Sequence, residues 1–189
     1  RDYILTNARG VFGELMSEYV IGYLLTHERQ IIQKLEAQKS NHWNGADTGS
    51  LRGKTIGLLG VGSIGSEIAR TAKFFGMHVR GYTLSSEESK HVDEYFHPTQ
   101  ESNSPPSGFA SGLDYLVNIL PNTKDTRKII NAELLGALPA HALVINAGRG
   151  PAVDESAIIN ALKQNKIAGA VLDVFEQEPL PKEHPFWTT

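Results

Sequence analysis

The sequence contains no cysteine, which removes disulfides, thiolate nucleophiles and thiolate metal ligation from consideration and fits a cytoplasmic protein. It also lacks any apolar stretch near the length of a membrane span, and any secretion signal,. Neither sign of charge dominates. The 18 Lys and Arg against 21 Asp and Glu leave a formal net charge of -3, giving no electrostatic case for nucleic acid or an anionic membrane surface,. The 7 histidines, at positions 27, 42, 78, 91, 97, 141 and 184, are scattered without metal-ligand spacing, so no metal site is expected,. No internal repeat is visible. What is present is an ordinary globular composition, 40% hydrophobic and 21% charged over 189 residues, enough for one well-buried α/β domain whose partners are small molecules,. The chain opens at Arg1 and stops at Thr189 after a Pro-rich turn, and reads as a portion of a longer polypeptide.

The most informative stretch is residues 55–65. A short apolar run, Thr55 to Leu59 in chain order, meets Gly60, Gly62 and Gly65 in a G-x-G-x-x-G spacing and then turns helical. Gly60 lets the chain turn, Gly62 leaves room for a pyrophosphate to approach the backbone, and Gly65 lets helix and strand pack closely. The N–H groups of Ser63 and Ile64, at the helix start, face the anion. Alone, this turn leaves dinucleotides, flavins and S-adenosylmethionine all open.

The other segments set it in context. A strand-like piece at residues 3–6 precedes a helical pattern over 14–39, with apolar residues at Leu15, Met16, Tyr19, Val20, Tyr23, Leu24, Ile31, Ile32 and Leu35,. That helix either packs on its own domain or meets another subunit. Residues 1–50 thus form a leading strand and long helix, and residues 51–189 the core. From Gly65 a helix is predicted to stop at Gly76, followed by a strand over 78–83, making a right-handed βαβ unit. Residues 99–108 read as a surface loop. Further strands are predicted over 113–120, 142–147 and 168–175, with Asn131 and Asp154 as helix N-caps. Strands alternating with helices predict a Rossmann-type α/β fold: a doubly wound parallel sheet with helices on both faces. Ligands of such sheets bind outside the carboxyl ends of the strands, where Gly60, Thr83, Pro121, Thr126, Asn146, Arg149, Asp173 and Glu178 fall,.

Four segments together resemble the D-isomer-specific 2-hydroxyacid dehydrogenases, the group that includes phosphoglycerate dehydrogenases and glyoxylate/hydroxypyruvate reductases. They are residues 51–65; Leu120, Pro121, Asn122 and Thr123 through Thr126; Ile145, Asn146, Ala147, Gly148, Arg149 and Gly150; and Leu172, Asp173, Val174, Phe175, Glu176, Gln177, Glu178 and Pro179. The resemblance implies the nicotinamide dinucleotide-binding domain of an NAD(P)-dependent oxidoreductase. Such an enzyme transfers a hydride between NAD(P)H and a small 2-oxo or D-2-hydroxy acid, and a second domain supplies the rest of the substrate site. By resemblance Arg149 holds the 2-oxo acid. Its planar, permanently charged fork suits a carboxylate beside a carbonyl. Glu178 takes the place of the glutamate that hydrogen-bonds an acid/base histidine and stabilises its imidazolium. That histidine is expected outside this chain. His184 is expected to be a loop residue, so the fragment alone is expected to bind cofactor without turnover. Asp173 receives the nicotinamide carboxamide or orients Arg149, with structural capping as the alternative. Pro121, Thr126, Ala147 and Gly148 complete the cofactor-binding set, and a homodimer is expected.

Thr83 ends the second strand where NAD-preferring members usually carry a carboxylate for the ribose hydroxyls. NADP is therefore open beside NAD, with Ser85 and Ser86 as phosphate partners and Glu87 and Glu88 opposing them. Two other functions compete: a non-catalytic NAD(H)-sensing interaction module of the corepressor type, and a methyltransferase, which leaves Arg149 and Glu178 without a role.

Overall fold

A computed structural model describes residues 10–99 and 104–189. The strand-like piece expected at 3–6 and the centre of the 99–108 loop lie outside the described residues. In chain order the elements are α1 (Gly13–Glu28), α2 (Ile31–Lys39), β1 (Thr55–Leu59), α3 (Ser63–Phe74), β2 (His78–Tyr82), β3 (Glu94–Phe96), α4 (Ser107–Ala110), β4 (Tyr115–Asn118), α5 (Ala132–Ala137), β5 (Leu143–Asn146), α6 (Glu155–Lys163) and β6 (Gly169–Leu172). Short 3₁₀ turns follow β5 at Gly150–Ala152 and β6 at Pro185–Trp187.

Among the described residues six strands form one sheet in the order β3-β2-β1-β4-β5-β6, each pair parallel. The order reverses between β1 and β4, the switch point at which doubly wound sheets bind ligands. Strands β4 and β5 are buried along their whole lengths, as a sheet covered on both faces requires. Alternation sends Tyr115, Val117 and Ile145 to one face, against Val20 and Leu24 of α1 and Ile68 and Ala72 of α3. It sends Leu116 and Val144 to the other, against Phe109 of α4, Leu134 and Leu135 of α5 and Ile158 of α6. The two caps form as expected: Asn131 accepts from the Leu134 N–H at 2.9 Å and Asp154 from the Ala157 N–H at 3.3 Å.

Several boundaries differ from expectation. The helix over 14–39 is two helices, because Gln30 adopts a left-handed conformation (φ 51°) between them. Only the first packs on the domain, and α2 has no buried residue. Helix α3 starts at Ser63 rather than Gly65, with Gly62 as its cap. The strands expected over 113–120, 142–147 and 168–175 shorten to β4, β5 and β6, the chain turning away once it leaves the ladder. The expected 99–108 loop overlaps only the first two residues of α4, whose Phe109, just beyond the loop, is fully buried. Strand β3 was not expected at all. It is three residues long at the sheet edge, with Glu94 exposed.

Candidate functional site

Register places four of the candidate residues, Thr83, Gly60, Ala147 and Asp173, in one row across the sheet. Leu59, Tyr82, Asn118, Asn146 and Leu172 are level with one another across the sheet. The next residue of each strand therefore forms a second row: Thr83, Gly60, Ile119, Ala147 and Asp173. The ladder continues into this row. The N–H groups of Gly60, Ile119, Ala147 and Asp173 donate to Tyr82, Leu59, Asn118 and Asn146 at 2.9, 3.0, 3.1 and 3.0 Å. From Thr83 to Asp173 the row crosses four strand intervals, about 19 Å at the usual spacing.

At its centre, Gly60 has φ +99°, open to glycine without strain,. A Cβ on Gly65 would lie 2.3 Å from the Gly60 carbonyl oxygen, so only glycine permits this approach of α3 to the turn. A Cβ on Gly62 would meet nothing within 4 Å, so the space there is open toward solvent. No side chain caps α3, and its first-turn N–H groups, from Ser63, Ile64 and Gly65, lack partners within the helix as at any helix start. A groove of about 800 Å³ opens beside them, lined by Gly60, Gly62, Ser63, Ser66, Thr83 and Pro121 among others. Bare donors, a positive helix end and room for close approach fit a pyrophosphate.

Toward the sheet edge the groove runs along Leu84, Ser85, Ser86, Glu88, Ser89, Lys90 and His91. Thr83 is buried, and its hydroxyl donates to the Ser86 carbonyl at 2.9 Å, closing the loop on itself. His97 faces an acceptor at each ring nitrogen, the Thr83 carbonyl from Nδ1 at 3.0 Å and the Glu87 carboxylate from Nε2 at 2.8 Å, so it donates to both when the ring is protonated,. The carboxylate, then the carbonyl, raise its pKa above the usual histidine value. Glu87 is thus drawn toward His97, while Glu88 remains on the groove. Arg80 donates to the Gly108, Phe109 and Ser111 carbonyls and faces Glu94. The Ser89 hydroxyl is buried without a hydrogen-bond partner.

Pro121 and Thr126 share a slot of about 160 Å³ with Thr83 and Leu84, at the β2 end of the row rather than beside Arg149. The Thr126 hydroxyl donates to the Pro121 carbonyl at 2.6 Å and holds this loop closed. At the other end, Arg149 and Glu178 line one pocket of about 330 Å³ with Gly150, Pro151 and Phe175. Arg149 donates to the Gly148 carbonyl at 2.7 Å, and Glu178 accepts from the Phe175 N–H at 2.9 Å. A Cβ on Gly148 would lie 2.9 Å from the Leu120 carbonyl, and one on Gly150 would lie 1.8 Å from that of Phe175. These glycines seat the arginine turn between the loops after β4 and β6. Asp173, expected to end a buried strand, is exposed, because β6 is an edge strand buried only in part. The Tyr19 hydroxyl of α1 faces its carboxylate, and burial first, then that charge, push the Tyr19 pKa up.

Two residues without a stated role proved central. Asn118 and Asn146 are fully buried at the ends of β4 and β5. The Asn118 amide donates to the Asn146 side-chain oxygen at 2.8 Å, and the Asn146 amide donates to the Arg149 carbonyl at 3.2 Å. An amide closing an otherwise apolar buried run was the available signal, since a buried polar group must find partners.

The row, the bare helix start and the glycine cradles define a dinucleotide-binding α/β domain. The family model for the D-isomer specific 2-hydroxyacid dehydrogenase NAD binding domain matches residues 21–189, and the chain belongs to that family. It is 35% identical over 172 residues to glyoxylate/hydroxypyruvate reductase A of Serratia proteamaculans (strain 568), covering 91% of this chain and 53% of that one. A D-isomer specific 2-hydroxyacid dehydrogenase family protein from Aeromonas salmonicida superposes with a TM-score of 0.91 at 41% identity, covering 100% of this chain and 59% of that one. The NADPH-dependent glyoxylate/hydroxypyruvate reductase of Sinorhizobium meliloti, solved with NADP and sulfate, gives a TM-score of 0.86 at 32% identity, covering 97% and 58%. The chain thus spans a little over half the length of these relatives.

Proposed function

We propose that this chain is the cofactor-binding half of a two-domain oxidoreductase that interconverts a small 2-oxo acid and a D-2-hydroxy acid, using NADPH in preference to NADH. The observation that carries the reaction class is the shared pocket of Arg149 and Glu178 at one end of the dinucleotide row. There the Arg149 fork pairs with the substrate carboxylate, fixing the neighbouring carbonyl. Glu178 keeps one oxygen on the Phe175 N–H and offers the other to an imidazole from outside this chain, favouring its protonated form. The nicotinamide, when bound, supplies or accepts the hydride. Gly60, Gly62, Ser63, Ile64 and Gly65 hold the pyrophosphate, and Ala147, Gly148 and Asp173 border the Arg149 end. Pro121 and Thr126 wall the slot beside Thr83.

Support for NADPH comes from the opposite end. Ser85, Ser86, Ser89, Lys90 and His91 line the groove beyond Thr83, and the carboxylate nearest in sequence, Glu87, is bound to His97. A 2′-phosphate finds hydroxyl donors and a lysine there, with Glu88 as the opposing charge. The two-domain polypeptide should reduce glyoxylate or hydroxypyruvate with NADPH. Arg149→Lys should lower kcat/KM about 10- to 100-fold, the loss of a charged hydrogen bond being worth ~1.5–3 kcal/mol. Absence of turnover with cofactor bound would reject the reaction class and favour a sensor.

The assembly is read as a cytoplasmic homodimer. Helices α1 and α2 and the residues flanking them expose Phe12, Leu15, Ile32, Leu35 and Trp43 at 51%, 62%, 55%, 48% and 91%, too much apolar surface for a solvated face. A second copy of the chain is the proposed cover. Sedimentation should give a dimer, and Leu35→Asp with Trp43→Ala a folded monomer.

A further inference from the structure

Arg149 and Glu178 belong to separate connections, one between β5 and α6 and the other after β6. Their mutual position depends on what ties these connections together. One tie is the seating of Gly150 against the Phe175 carbonyl. The other is Glu155, the first residue of α6. One oxygen of its carboxylate accepts from the Glu176 N–H at 3.1 Å, and the other faces His184 Nε2 at 3.3 Å. Both side chains are largely buried, with 21% and 18% exposure.

The histidine tautomer follows from its other nitrogen. His184 Nδ1 accepts from the Phe186 N–H at 3.3 Å, so the ring proton sits on Nε2 and points at Glu155,. The ring packs on Phe186 with centroids 4.7 Å apart, and Phe186 on Phe175 at 6.1 Å. Arg127 adds an ion pair to Glu176 at 2.6 Å from the far side. Glu155 therefore grips the segment carrying Glu178 at two points, two residues before that carboxylate and six after it. Its own charge sits in the first turn of α6, where the helix dipole favours it.

We propose that Glu155 is a positioning residue for the reaction: acting through Glu176 and His184, it holds Glu178 at the separation from Arg149 that a substrate and an imidazole require. The inference rests on the dehydrogenase reading above and concerns a residue that lines neither the dinucleotide groove nor the Arg149 pocket.

Two measurements separate the inference from that reading. In the 189-residue chain, amide exchange at residues 175–178 should quicken at least ~10-fold in Glu155→Ala, with NADPH affinity unchanged. This needs no catalysis. In the two-domain polypeptide, wild-type turnover of glyoxylate or hydroxypyruvate tests the reading itself. Given that turnover, Glu155→Ala should lower kcat/KM for the 2-oxo acid ~10- to 100-fold, the scale of a small misplacement of a reacting group. It should also displace the pH profile of kcat/KM, since the imidazole loses its carboxylate partner. Glu155→Gln keeps an oxygen for the Glu176 N–H but turns an amide toward the His184 N–H. It should fall between the two and serves if the alanine variant does not fold. Unchanged exchange, or faster exchange with wild-type kcat/KM and pH profile, overturns the proposal. So does a loss of NADPH affinity parallel to the loss of turnover, which marks a general structural role.

Discussion

The Asn118 amide donates to the Asn146 side-chain oxygen at 2.8 Å with both residues fully buried, directly beneath the row of residues that forms the cofactor edge. The pair joins neighbouring strands and carries its bonds upward. The Leu120 N–H donates to Asn118 at 3.2 Å, the Gly148 N–H to Asn146 at 3.3 Å, and the Asn146 amide to the Arg149 carbonyl at 3.2 Å. The loops after β4 and β5 are thereby shaped from below.

Asn146→Ala strands the Asn118 amide in the core, and an unsatisfied buried group destabilises by ~1–3 kcal/mol. At this chain length ~2 kcal/mol corresponds to a fall in Tm of about 4–8 °C. Asn118→Ala should do the same. The double variant should lose less than the sum, because the second substitution finds its partner already gone. Thermal denaturation of the three variants checks this, and strict additivity would deny the pairing.

Gly62 and Gly65 are predicted to fail in different ways. A Cβ at Gly65 meets the Gly60 carbonyl oxygen at 2.3 Å, and overpacking of this kind costs about 1–3 kcal/mol. A Cβ at Gly62 meets nothing, and its φ of -80° suits alanine. Gly62→Ala should keep its Tm while binding NADPH ~10-fold more weakly, about 1.4 kcal/mol. Paired melting and binding curves distinguish the two.

The His97–Glu87 pair makes the groove loop pH-dependent. The folded pKa of His97 is raised, first by Glu87 and then by the Thr83 carbonyl. Its stabilisation is therefore fully present below the unfolded value, about 6.5, and is lost as pH rises through the shifted value. Solvent screening keeps the effect modest, since Glu87 is more than half exposed,. Amide exchange in residues 84–93 should quicken as pH rises through this window beyond the intrinsic base-catalysed trend. Glu87→Gln should flatten that excess.

Asp154 behaves in the opposite sense. The Ser156 hydroxyl leads the causes that lower its pKa, with the Ala157 N–H and Lys128 adding to it. Its contribution stands above the unfolded carboxylate pKa and disappears as pH falls through the lowered value. Asp154→Ala should remove about 1 kcal/mol of cap stabilisation at neutral pH. The difference from wild type should shrink in acid, as melting curves across pH will show.

Much of the architecture was readable because β1, β4 and β5 are apolar runs ending at polar or glycine residues, and their register follows from alternation. Strand β3 was not. Glu94, Tyr95 and Phe96 are too few to establish a period, and an edge strand needs no apolar face on both sides. The break between α1 and α2 escaped because Gln30 is not a residue whose identity announces a left-handed backbone. In the site, the glycines stood out by spacing, and the Arg149 and Glu178 segments only by their resemblance to the family. Lys90 and His91 did not, since what brings them to the groove is the fold of the 83–97 loop around Tyr95 and His97. Asp173 was expected to be buried from the apolar residues before it, and sequence does not say which strand lies at the edge.

The strand-end row from Thr83 to Asp173 is read as a nicotinamide dinucleotide site. Titrating NADPH and NADH calorimetrically into the 189-residue chain tests it most directly. One site per chain is expected, with tighter binding of NADPH than NADH and weaker binding of both in Gly62→Ala at unchanged Tm. Absence of binding by either nucleotide to the folded chain would contradict it.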